Sequence, residues 1–137
     1  MKKTLLTILA LLCIVGSQAN DKVVVWEKPT TEYGNIYGDG FFNTVIDVNR
    51  VELKETETTV SVTVSTRSDY NSFQFASGTS LLANGKRYAL MSADGIELDK
   101  FVKTNADNKR NIVFHFQPMP LGTKVFDFIE GDGERAF

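Results

Sequence analysis

The chain of 137 residues has one cysteine, one histidine, one tryptophan and three prolines. With Cys13 as the only thiol, an internal disulfide framework, a Cys-x-x-Cys redox pair and a zinc site built on several cysteines are all excluded. With His115 as the only imidazole, acid–base chemistry near neutral pH by an unperturbed side chain has one place to run. Basic blocks are also missing. The 15 Lys and Arg are outnumbered by 17 Asp and Glu, giving a net charge of −2. A scattered acidic surplus repels nucleic-acid phosphates and anionic lipid alike, so no nucleic-acid partner is expected. The longest apolar run, Leu5 to Gly16, falls short of the roughly 20 residues a spanning helix needs, and permanent membrane insertion is not expected. No window of helical length carries a 3.6-residue period. Gly34 to Gly40 has no lysine and no following helix signal, so it is not a phosphate-cradling loop, and no cofactor is expected.

What is present begins with the first nineteen residues. Lys2 and Lys3 precede the apolar run, and Ser17-Gln18-Ala19 sets small residues where a signal peptidase cuts. Residues 1–19 therefore read as a cleavable signal peptide and 20–137 as one exported β-sandwich domain, periplasmic or extracellular. Removing them leaves 118 residues, one domain's worth, without a thiol. Loss of Lys2 and Lys3 takes the basic count from 15 to 13 against 17 acidic residues, a net −4. Lipidation of Cys13 is disfavoured because bulky Leu12 precedes it where a small residue is required.

The rest alternates with a period of two, the spacing that puts every second side chain on one face of a strand. Val60, Val62 and Val64 alternate with Ser61, Thr63 and Ser65; Ile112, Phe114 and Phe116 with Val113, His115 and Gln117; Phe126 and Phe128 flank Asp127. Val23 to Trp26, Thr44 to Leu53, Ser72 to Phe75, Arg87 to Met91 and Ile96 to Leu98 are further expected strands. Asn84-Gly85 and Asp94-Gly95 supply residues that tolerate positive φ, as two-residue hairpin turns demand. Asn105 to Asn111 reads as a polar loop. Pro118 and Pro120 lack the amide hydrogen of a central ladder and should end the strand after Phe116. The sum is an all-β, antiparallel sandwich of about 7–9 short strands. The expected core is Trp26, Ile46, Val48, Leu53, Val60, Val62, Val64, Phe73, Phe75, Tyr88, Leu90, Ile112, Phe114, Phe116, Phe126 and Phe128.

Three groups of residues could carry a site. His115 has no serine or carboxylate at a triad spacing and reads as a solvent-facing strand residue rather than a catalytic one; no catalytic residue is assigned. Tyr33, Tyr37, Phe41 and Phe42 cluster around the glycine-rich stretch, where aromatic rings can stack on sugars or fill a partner's pockets. Asp127, Glu130, Asp132 and Glu134 offer the hard oxygen ligands calcium uses, without the spacing of a calcium-binding loop, so a solvated acidic turn is the simpler reading. After Gly131 and Gly133 a new alternation begins. A sheet edge left unpaired there invites strand addition by a partner or a second copy.

Trp26 with Pro29, Val51-Glu52-Leu53 with Thr56-Glu57-Thr58, Asn84-Gly85-Lys86 with Tyr88, Phe114-x-Phe116-x-Pro118-x-Pro120 with Thr123, and Phe126-Asp127-Phe128-Ile129-Glu130-Gly131 together resemble immunoglobulin-like modules of exported proteins from anaerobic Gram-negative gut bacteria. Those modules often stand ahead of thioredoxin-like domains. The resemblance implies an immunoglobulin-like sandwich in the cell envelope and carries no catalytic residue onto this chain. The expected function is a non-enzymatic interaction or spacer module with an unidentified protein or glycan partner and a capacity for edge-strand self-association. The alternatives are a glycan- or peptide-binding domain using the Tyr33 to Phe42 loop, and an accessory domain cut from a thioredoxin-like protein.

Overall fold

A computed structural model describes residues 5–9, 13–14, 22–33, 44–66 and 71–131. Among them are twelve strands and no helix: β1 (Leu5–Leu9), β2 (Cys13–Ile14), β3 (Val23–Glu27), β4 (Thr30–Tyr33), β5 (Thr44–Lys54), β6 (Thr58–Thr66), β7 (Ser72–Phe73), β8 (Ser80–Ala83), β9 (Lys86–Asp94), β10 (Val102–Lys103), β11 (Lys109–Phe116) and β12 (Val125–Ile129). Among the described residues no helix is long and apolar enough to cross a membrane. Ten strands form one antiparallel sheet in the order β2-β3-β5-β6-β11-β9-β8-β12-β1-β4, while β7 and β10 make a separate pair.

The long strand β9 turns this sheet back on itself. Its first part, Lys86 to Ala89, pairs with β8, and its second, Leu90 to Asp94, pairs with β11. The two halves then face each other through aromatic rings. Trp26 of β3 stacks on Phe126 of β12 at 5.5 Å, and Phe114 and Phe116 of β11 meet Phe128 of β12 at 5.3 and 5.8 Å. Phe75, just after β7, reaches both Phe114 and Phe128, at 5.0 and 6.4 Å. Offset and edge-on pairs of this kind add to the stabilisation that burial of the rings already provides.

Every residue of the expected core is buried except Leu90, which is half-buried against it. Val51, Leu81, Ala83, Met119 and Ile8 join them. Val51 enters through a bulge: the β5–β6 register slips between Val48 and Arg50, making Asn49 the extra residue. One inserted residue reverses the inward phase, so Ile46 and Val48 are buried before it and Val51 and Leu53 after it. The carbonyl of Asn49 is used by the amide of Lys28 at 2.8 Å, which helps fix the kink between β3 and β4.

Turn chemistry is confirmed at Asn84-Gly85, with φ of 50° and 76°, the left-handed pair a two-residue hairpin between β8 and β9 needs. Asp94-Gly95 does not make the second hairpin. Gly95, at φ 93°, ends β9 beside β11, and Ile96 to Leu98 form a bend and turn rather than a strand. The polar loop expected over Asn105 to Asn111 is shorter, because β11 already begins at Lys109 and pairs there with Ser65. The strand of Ser72 to Phe75 is likewise only Ser72–Phe73. The count exceeds the expected 7–9 partly because two strands lie within residues 1–19.

Candidate functional site

The outer face of β11 carries the one histidine. Alternation that turns Phe114 and Phe116 inward turns His115 outward, between β6 and β9. Two carboxylates close on it. Nδ1 lies 2.9 Å from Glu57 Oε2, at the turn before β6, and Nε2 lies 2.7 Å from Asp94 Oδ2, at the end of β9. The Asp94 hydrogen bond, with help from Glu57, holds the imidazole's pKa above its usual value against the opposing effect of partial burial. A doubly bonded ring of this kind favours the imidazolium, which donates from both nitrogens. No ring nitrogen is then left to take a proton from a nucleophile, so the arrangement acts as a charged cross-strand clamp. The carboxylates are 58 and 21 residues away in sequence, brought together by strand pairing.

A second polar cluster lies on the outer face of β3 and β5. Arg50 bridges Glu27 and Glu52, with its Nε and Nη2 donating to Glu52 Oε1 at 2.9 and 2.7 Å, and Lys54 stands 3.4 Å from the same carboxylate. Beyond it, the Asn49 amide donates to the Thr63 hydroxyl, which donates to Asn111 Oδ1, both at 2.8 Å. These ladders tie β3, β5, β6 and β11 into a solvated polar face.

The third arrangement is the lane between β12 and β4, which β1 fills. Leu5 to Leu9 pair with Ile129 to Val125 on one side, and Leu6 to Leu9 with Tyr33 to Thr30 on the other. Ile8 is fully buried, opposite Phe126. Thr7 lies on the other face, where its hydroxyl donates to Asp127 Oδ1 at 2.8 Å. On that face Thr7 also stands opposite Glu32 of β4. β2 similarly lies along the outer side of β3, with Cys13 opposite Val25. The segment read as a signal peptide thus supplies strands at or near both ends of the sheet.

Of the aromatic cluster, Tyr33 ends β4 opposite Leu6, while Tyr37, Phe41 and Phe42 lie outside the described residues. Of the acidic group, Asp127 accepts from Thr7, and Glu130 is buried, its Oε1 accepting the Ala76 amide at 2.9 Å. Asp132 and Glu134 lie outside the described residues. No set of three or more His, Cys, Asp and Glu able to hold a metal occurs among the described residues. Sequence reasoning missed the His115 clamp and the β1 lane. The first has no local signal, and the second was hidden by assigning residues 1–19 to a leader.

No family model, curated protein or solved structure matches this chain.

Proposed function

We propose that the protein is a non-enzymatic, exported interaction module of the cell envelope, an immunoglobulin-like sandwich that works through the edges of its sheets. The observation that carries this reading is the position of β1 and β2. Within the leader-like stretch, Leu5–Leu9 occupy the lane beside β12 and Cys13–Ile14 the outer side of β3, so removal of residues 1–19 leaves backbone groups there ready to pair. The facing halves and the cross-half stacking of Trp26 on Phe126 support the sandwich reading. The closed clamp on His115 supports a structural rather than a catalytic use of the only imidazole.

The N-terminus of the exported protein tests the reading directly. A Gram-negative host expressing the full gene should yield, from its periplasm, a polypeptide whose mass begins at Asn20. A folded product that keeps Met1 to Ala19, or that stays in the cytoplasm, refutes it.

A further inference from the structure

The lane between β12 and β4 is shaped for one kind of occupant. β12 and β4 run parallel to each other, and a strand between them is antiparallel to both and bonds along both its edges. Its position 8 points into the core among the aromatic residues of β12, where Ile8 is sealed from solvent. Its position 7 faces outward between the carboxylates of Asp127 and Glu32. Residues directly opposite across strands interact most strongly, so this outward position favours a hydroxyl, as seen with Thr7, or a cation.

We propose that, once residues 1–19 are removed, this lane binds an extended segment of a partner polypeptide, antiparallel to β12. That segment has an aliphatic residue at the place of Ile8 and a hydroxyl or basic residue immediately before it. The proposal rests on the export reading above and adds the chemistry of the partner. Main-chain pairing would supply affinity and the alternate side chains specificity, as in strand addition generally.

Residues 134–137 fit the lane poorly. If the tail after β12 turned back through Glu130 to Gly133, the antiparallel register would put Phe137 opposite Phe126, where Ile8 lies. It would also put Arg135 opposite Phe128, on the same inward face. A guanidinium there would be buried against phenylalanine without a partner, a costly arrangement. Every other described strand is already paired, so none of them is free to fill the lane.

The exported protein, its N-terminus checked by mass, is titrated with a synthetic peptide of the sequence Lys2 to Ala10. One-to-one binding with a raised Tm is expected, since a ligand of the native state stabilises it. An Ile8→Asp peptide should bind at least about tenfold more weakly, because a buried aliphatic side chain is replaced by a charge. A Thr7→Asp peptide should weaken binding, and a Thr7→Lys peptide should tighten it at low salt with the gain fading as salt is added. Absence of binding, indifference to Ile8→Asp, or concentration-dependent dimerisation of the clipped protein would each overturn the proposal, the last by making a second copy the occupant. Binding that appears only after residues 132–137 are deleted would overturn it too, by showing that the tail closes the lane.

Should the clipped protein fail to stay folded, the full chain carrying a protease site after Ala19 gives the same answer. After nicking, the N-terminal piece should remain bound through size exclusion and be displaced by excess wild-type peptide but not by the Ile8→Asp peptide. A piece that falls away at once refutes the lane. An intact N-terminus on the exported protein refutes the export reading, while the nicked chain still reports on the lane by itself.

Discussion

Replacing His115 by Gln isolates the charged clamp on the outer face of β11. Gln keeps a polar side chain of similar reach but cannot carry the proton. The pKa of His115 is raised in the folded protein, so the folded state binds that proton more tightly than the unfolded one. The stabilisation is therefore fully present below the unfolded value near 6.5 and is lost as pH rises through the higher folded value.

Its size follows from exposure. The Asp94 contact exerts the larger pull on the proton, yet the Asp94 side chain is 72% exposed, and water screens its share of the stability. Glu57 is 28% exposed and His115 22%, so their 2.9 Å bond is the better protected. Discounting the exposed contact leaves about 1 kcal/mol for the clamp as a whole. Urea unfolding of wild type and His115→Gln should differ by that amount near pH 5.5, and the difference should shrink towards zero by about pH 9. In a domain of this size the acidic-side loss is roughly 3–6 °C in Tm. Glu57→Gln should cost more than Asp94→Asn. Because there is only one histidine, its ring proton signal in a magnetic-resonance titration reads the folded pKa without assignment and should lie above 6.5. A difference between wild type and His115→Gln that stays constant with pH, or grows as pH rises, would refute the reasoning.

Phe114→Ala should remove about 3–5 kcal/mol in urea unfolding, since the ring is fully buried and touches Phe75, Phe116 and Phe128 across both halves of the sheet. Much of the stability of a small domain is then gone. Gly95→Ala should lower Tm more than Gly85→Ala. Both glycines have positive φ, but a methyl at Gly95 would stand 2.5 Å from the Asn111 carbonyl oxygen while one at Gly85 meets nothing within 4 Å. Equal shifts at the two positions would refute the steric part of that argument. Ile8→Ala in the unclipped chain should cost about 2–5 kcal/mol as a fully buried side chain, and nothing in protein that has lost residues 1–19.

Most of the core was legible because a pleated strand writes its buried face into the sequence at every second residue. Val60, Val62 and Val64, or Phe126 and Phe128, need no knowledge of their partners to be placed inward. The phase break between Val48 and Val51 was also present in the sequence, but only pairing with β6 shows that Asn49 absorbs it. Met119 escaped because it lies between Pro118 and Pro120, where no period exists. It is held by the Thr58 hydroxyl, which accepts its amide hydrogen at 2.9 Å. Asn84-Gly85 could be read locally because the turn depends on two residues, whereas Asp94-Gly95 is followed by Ile96 to Leu98, which pair with no described strand. The site was least legible. The partners of His115 are set by the register of β11 against β6 and β9, a long-range property that residue spacing does not encode.

The topology also separates what the leader-like segment does from what the core needs. From β3 through β5, β6, β11, β9 and β8 to β12 the ladder is continuous without any residue before Val23. Of the residues before Val23 whose burial is described, Ile8 is the one that enters the core. β4, by contrast, has β1 as its only partner among the described strands and joins the sheet through it. Clipping would therefore spare the aromatic core while unpairing β12 and β3 along one side each and removing the one described neighbour of β4. Unpaired edges of this kind would be a poor end state, because exposed edges promote aggregation. A strand supplied from outside would restore the β12–β4 lane and bury apolar surface again. Its binding free energy would come from the pairing and burial that β1 provides before cleavage.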